Sequence, residues 1–125
     1  MSNAMILVVD DSAMARHQVR VCLQSAGHSV IEAENGVTGL QKARDEPIDL
    51  AIIDVNMPIM DGLEMLAGLR SVPGKQSIPV FILTTDASKF LVARGNQHGT
   101  TVWIVKPFRP EVLARSVAHV LAMAV

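Results

Sequence analysis

Met5-Ile-Leu-Val-Val-Asp-Asp11 is an apolar run that stops on two adjacent carboxylates. It is short, rich in branched residues and bounded by polar ones, so it reads as a buried strand with charged groups at its carboxyl end. Two further runs repeat the pattern. Leu50-Ala-Ile-Ile ends on Asp54, and Val102-Trp-Ile-Val ends on Lys106, with Pro107 next. In an open parallel sheet, ligands bind outside the carboxyl ends of the strands. Asp10, Asp11, Asp54 and Lys106 are therefore expected to meet at one edge. Carboxylates sharing a site repel one another unless a cation joins them, and hard oxygen ligands suit Mg²⁺. The pattern points to phosphate or metal chemistry.

Strand and helix signals alternate along the whole chain. Ser12 can cap a first helix whose apolar stripe is Ala15, Val19, Cys22 and Ala26, and Gly27 fits the position just past its end. A second strand is expected over 28–33. Asn35-Gly36 reads as a turn before a helix over 37–45, which Pro47 ends. The third strand covers 49–54, a loop with Pro58 follows, and a helix over 63–70 is broken by Pro73-Gly74. The fourth strand is expected over 78–83. Asp86 caps a helix to about residue 98 that Gly95 weakens, the fifth strand covers 100–105, and Pro110 suits the first turn of a last helix. Five such units make an α/β, doubly wound parallel sheet with helices on both faces.

A chain of 125 residues, half of them apolar, is one domain with a sizeable core. Net charge is −1 with no basic run, so nucleic acid and anionic membrane are not expected partners. The single cysteine, Cys22, has no partner for an internal disulfide. There is no secretory signal pattern and no apolar stretch long enough to span a bilayer, so the expected location is cytoplasmic. Residues 1–4 precede a second methionine and read as a tag remnant, leaving 5–125 as the domain. His17, His28, His98 and His119 show no metal-ligand spacing and read as surface or satisfied histidines.

At the strand ends the residues leave some choices open. Asp10 and Asp11 can face a metal, or one of them can cap the first helix. Asp54 can be a nucleophile, a metal ligand or both. The backbone carbonyl of Asn56 stands where it could add an oxygen ligand. Thr84 could donate to a phosphoryl oxygen or be a plain strand-end threonine. Lys106 could neutralise a phosphate or pair with Asp54, and the bond to Pro107 permits a cis peptide.

Taken together, Asp10-Asp11, Asp54-Val-Asn-Met-Pro-Ile-Met-Asp-Gly62, Thr84 and Lys106-Pro107-Phe108 resemble the receiver domain of two-component response regulators, over nearly the whole chain. The closest likeness is to the short single-domain regulators of the chemotaxis type. The resemblance implies a flavodoxin-like sheet of five strands in the order 2-1-3-4-5. It also implies that Asp54 accepts a phosphoryl group from a sensor histidine kinase or phosphotransfer protein. Mg²⁺ would be held by Asp10, Asp11, Asp54 and the Asn56 carbonyl, with Lys106 and Thr84 on the phosphoryl oxygens. The domain would be no conventional enzyme, but would catalyse its own phosphoryl transfer and dephosphorylation.

By the same resemblance, Thr84 and the aromatic position of the fifth strand form the switch. That position holds Trp103, where the family more often has Tyr or Phe. Asn56 and Asp86 would flank the attacking water and set the lifetime of the phosphorylated state. The output face would lie on the fourth helix, fifth strand and fifth helix, with Lys89, Phe90, Trp103 and Arg109, toward an output protein the sequence does not name. The last helix is apolar almost all round near its end, which points to a homodimer, a partner or a following output domain. An aspartyl phosphatase would want a second acid where Asn56 stands. A flavin domain would want a hydroxyl- and glycine-rich loop where Asp10-Asp11 stands. Both alternatives are therefore disfavoured.

Overall fold

The computed structural model describes residues 3–85, 89–97, 99–100 and 102–123, and of 89–91 the backbone. Asp86, His98 and the side chains of Lys89 and Phe90 therefore lie outside the described residues. Five strands, β1 (Met5–Val9), β2 (Ser29–Ala33), β3 (Leu50–Ile53), β4 (Val80–Thr84) and β5 (Val102–Val105), alternate with α1 (Ala13–Ser25), α2 (Gly36–Asp45), α3 (Gly62–Leu69), α4 (Lys89–Gln97) and α5 (Pro110–Met123). All strand pairs are parallel, in the order β2-β1-β3-β4-β5. This is the doubly wound, flavodoxin-like sheet.

Alternate residues of each strand feed opposite faces, because the side-chain period of a strand is two. Leu7, Val9, Ala51, Ile53, Val80 and Ile82 enter one core with Leu40 and Ala43 of α2 and Leu63, Leu66 and Leu69 of α3. Ile6, Val8, Leu50, Ile52, Phe81 and Leu83 enter the other with Val19, Cys22 and Leu23 of α1 and Leu113 and Val117 of α5. Both faces of β3 and β4 are covered, which is why their sequences are unbroken apolar runs.

Several boundaries differ from the sequence expectation, each for a local reason. Asn35 is the N-cap of α2, accepting the Thr38 N–H at 2.8 Å, so the helix starts at Gly36 rather than after a turn. Asp61 caps α3 in a reciprocal pair with Glu64, at 2.8 and 3.0 Å, and α3 runs from Gly62. The second strand begins at Ser29. His28 is buried, and its Nδ1 accepts the Ala4 N–H at 3.2 Å. Burial pushes the His28 pKa down, which keeps the ring neutral and able to accept. Ala4, grouped by sequence with the leading residues, is itself buried in the second core. Leu23 belongs to the buried face of α1, while Ala15 and Ala26 are half-buried. The Cys22 thiol is buried and donates to the Pro110 carbonyl at 3.3 Å, tying α1 to α5. The end of α5 is not covered all round: Leu121 packs on the core, whereas Met123 is exposed. Among the described residues no helix is long and apolar enough to cross a membrane.

Candidate active site at the carboxyl edge of the sheet

In the sheet order, the chain winds one way from β1 to β2 and the other way from β3 onward, so β1 and β3 flank the switch point where such folds bind ligands. Val9 pairs with Ile53 across this seam, and the Asp54 N–H bonds the Val9 carbonyl at 3.0 Å. Register alone therefore brings Asp10 level with Asp54. On the other side Thr84 pairs with Val105, and the Lys106 N–H bonds the Thr84 carbonyl at 2.8 Å. The peptide between Lys106 and Pro107 is cis.

The side chains converge as the strand ends predict. Carboxylate oxygens of Asp10, Asp11 and Asp54 lie within 4.8 Å of one another. Lys106 Nζ sits 2.7 Å from Asp10 Oδ2 and 3.3 Å from Asp54 Oδ2. The Thr84 side chain is fully buried and hydrogen-bonds Asp54, and the Asn56 N–H donates to Asp54 Oδ1 at 3.4 Å. Neither Asp10 nor Asp11 caps α1. Ser12 does, while Asp10 Oδ1 accepts the Ser12 N–H at 2.9 Å.

The electrostatics follow from this geometry. Burial pushes the Asp54 carboxyl up. Lys106 and the Thr84 hydrogen bond pull it back, Asp10 opposes them, and the net direction is upward. Asp54 is the second, more distant carboxylate on a shared ammonium, so the cation does not offset its desolvation. Burial also pushes Lys106 down, but two carboxylates more than offset it and the ammonium is held above its ordinary range. Three oxygen donors from short carboxylates form a set that hard divalent cations prefer, so the residues fit Mg²⁺.

A model of the response regulator receiver domain matches residues 6–118. The chain belongs to this family. The receiver is 36% identical to a CheY homologue of Campylobacter jejuni, covering 93% of this chain and 91% of that protein. It is 39% identical to the chemotaxis protein CheY4 of Vibrio cholerae, with a TM-score of 0.89 and coverage of 94% and 98%. The receiver domain of the sensor histidine kinase PA1611 of Pseudomonas aeruginosa, 22% identical with a TM-score of 0.88 and coverage of 96% and 98%, shares the fold, and its structure has magnesium in the active-site cleft. The chain is thus a chemotaxis-type receiver of two-component signalling.

Trp103 of this receiver is half-buried and packs on the first core. Its unusual bulk is accommodated by Gly95 of α4. A Cβ at Gly95 would stand 2.9 Å from Trp103 Cζ3 and 2.7 Å from Thr100 Oγ1. Helix propensity alone says Gly95→Ala should stabilise by about 1 kcal/mol. Against Trp103 the sign is expected to reverse, because the half-buried indole must shift off the first core to admit the added carbon, whereas the Thr100 hydroxyl can rotate. In a Trp103→Phe background the second ring is gone and Gly95→Ala should stabilise again. Urea melts of the four proteins in this cycle should give a coupling of about 1 kcal/mol or more. Additive effects would mean that Gly95 is not the space Trp103 uses.

Sequence reasoning marks Gly95 only as a weak point of its helix and Gly62 only as the end of the segment after Asp54, and it gives Arg16 no role. What each meets is brought close by folding: Gly95 faces Trp103, a Cβ at Gly62 would stand 2.0 Å from the Asp54 carbonyl oxygen, and Arg16 donates to the Asp10 carbonyl. Asp86 was assigned a rate-setting role, and it lies outside the described residues.

Proposed function

We propose that this receiver is a phosphorylation-switched signalling module whose acceptor is Asp54. The observation that carries the reading is the single ammonium of Lys106 shared by the carboxylates of Asp10 and Asp54 at the strand ends. Asp54 is buried, ionisable and backed by Thr84. Its oxygen attacks phosphorus in line, the bond to the donor histidine nitrogen breaks, and that electron pair stays on the imidazole. Lys106 and Thr84 then take phosphoryl oxygens, acting by positioning and charge. Asp10, Asp11, Asp54 and the Asn56 carbonyl would hold Mg²⁺, which when bound neutralises charge on the phosphoryl oxygens. Hydrolysis of the aspartyl phosphate by water resets the switch, with Asn56 and Asp86 as the residues that set its rate.

The donor is a sensor histidine kinase or phosphotransfer protein. A groove of about 590 Å³ lined by Ala15, Gln18, Val21, Pro107 and Phe108 reaches Lys106 and gives such a donor a route to the edge. The output runs through α4, β5 and α5, with Thr84 and Trp103 as the moving parts. The output protein is recognised by that face, where Val105 and Arg109 are exposed.

The test is intact-mass spectrometry after incubation with acetyl phosphate and Mg²⁺. One phosphoryl group should be added to the native chain, none in the presence of a chelator, and none to Asp54→Asn. A phosphorylated Asp54→Asn variant, or a native chain that gains nothing, would overturn the assignment. The same variant should melt higher than the native chain at neutral pH. Asp54 has a raised pKa in the folded state, so the native form holds its proton more tightly. Stability therefore falls as pH rises from the ordinary carboxylate range, about 4, through the folded value. Asparagine removes that cost, and the difference should vanish at acid pH.

A further inference from the structure

Arg16 stands on the first turns of α1 with a side chain only 16% exposed. Its Nη1 donates to the backbone carbonyl of Asp10 at 2.6 Å, and its Nε donates to Glu32 of β2 at 3.1 Å. Glu32 is held in turn by Arg20, and its own carbonyl accepts from Lys42. Burial pushes the Glu32 carboxyl up, but the two guanidinium groups more than offset this and keep it below its ordinary range. The Asp10 carbonyl and the Asp11 N–H belong to one rigid peptide plane. Whatever fixes that carbonyl therefore fixes the direction in which Asp11 leaves the strand. The Asp10 N–H is already bonded to Ala33, and its carboxylate to Ser12 and Lys106. Asp11 is exposed, and its N–H lies in the peptide plane whose carbonyl Arg16 holds.

We infer that Arg16, oriented by Glu32, is a positioning residue for the Asp10-Asp11 pair and so for binding of a divalent cation at the sheet edge. This rests on the reading of that edge given under Proposed function. Charge and position predict opposite signs for its removal. Arg16→Met takes a positive charge away from an acidic edge, and by Coulomb's law alone Mg²⁺ should then bind more tightly. Loss of positioning should weaken binding, typically by 10- to 100-fold when a group that orients a metal ligand is removed.

The experiment is isothermal titration of the full chain with Mg²⁺, for the native protein and for Arg16→Met, Arg16→Lys and Glu32→Gln, with melts recorded in metal-free buffer. Arg16→Met should raise the Kd at least about tenfold. Arg16→Lys should fall between it and the native chain, because one ammonium cannot bridge both acceptors as a guanidinium does. Glu32→Gln should weaken binding in the same direction. An Arg16→Met Kd equal to or tighter than native, whatever its melting temperature, overturns the inference and leaves Arg16 a structural residue. If Arg16→Met fails to fold, native Kd values for both Arg16→Lys and Glu32→Gln overturn it equally. A native chain that does not bind Mg²⁺ overturns the reading of the edge itself, and the inference with it.

Discussion

Replacing Gly62 by alanine is expected to cost about 4 kcal/mol or more, a large part of the 5–15 kcal/mol that holds a domain of this kind together. Gly62 opens α3, and a Cβ there would stand 2.0 Å from the Asp54 carbonyl oxygen and 2.9 Å from the Val55 Cα. The obstruction is backbone on both counts, at Asp54, the proposed acceptor, and at the residue that follows it. No rotamer change relieves it. Either the start of α3 must lift off the end of β3, breaking the Gly62 N–H bond to Val55 and disturbing the Asp61–Glu64 cap, or Asp54 must move. Both damage the core that Leu63 and Leu66 fill. Gly74→Ala is the matched control. Gly74 has φ of +81° with nothing within 4 Å of the added carbon, so only left-handed strain of about 1–2 kcal/mol is expected. Urea denaturation measures both. Equal, small shifts would show that α3 can slide away from Asp54 at little cost.

Lys106→Met is expected to lower stability at neutral pH by about 2–4 kcal/mol, and the rate of phosphorylation by acetyl phosphate on the order of 10²–10³-fold. The stability loss arises because Asp10 and Asp54 are 5% and 7% exposed and share this one ammonium. Removing the cation leaves two buried carboxylates facing each other. The cost falls below that of a fully buried pair because the Lys106 side chain is 20% exposed. Two dependences separate this cause from lost packing. The raised Lys106 pKa means that its stabilisation is fully present below the ordinary lysine value, about 10.4, and is lost only as pH rises through the folded one. At neutral pH the whole of it is therefore at stake. On the acid side, protonation of Asp54 should shrink the difference between variant and native chain. Added Mg²⁺ should restore stability to the variant more than to the native chain, since it replaces a missing positive charge. Melts at pH 7.5 and pH 4, with and without Mg²⁺, decide the matter. A loss that ignores both pH and Mg²⁺ would mean that Lys106 acts only through the packing of its alkyl stem.

Much of the fold and site was legible in the sequence because both depend on period and position along the chain. Unbroken apolar runs such as Leu50-Ala-Ile-Ile identify strands covered on both faces, and their last residues must emerge at one edge of a parallel sheet. That placed Asp10, Asp11, Asp54, Thr84 and Lys106 together before any coordinates. Helix ends were less legible. Asn35 looked like a turn residue, and only the hydrogen bond from Thr38 makes it a cap.

What the sequence by itself determined was which residues stand at the carboxyl ends of the strands, since a strand's side chains alternate and its ends are marked by the change from apolar to polar. What only the tertiary structure decided was how those ends are held. The sharing of Lys106 between Asp10 and Asp54, the hold of Arg16, itself bonded to Glu32, on the Asp10 carbonyl, the fit of Gly62 against Asp54 and the space Gly95 leaves for Trp103 all join residues distant in sequence or on different elements. Distances of a few ångströms between separate elements depend on packing, and the local patterns of a chain carry no record of them.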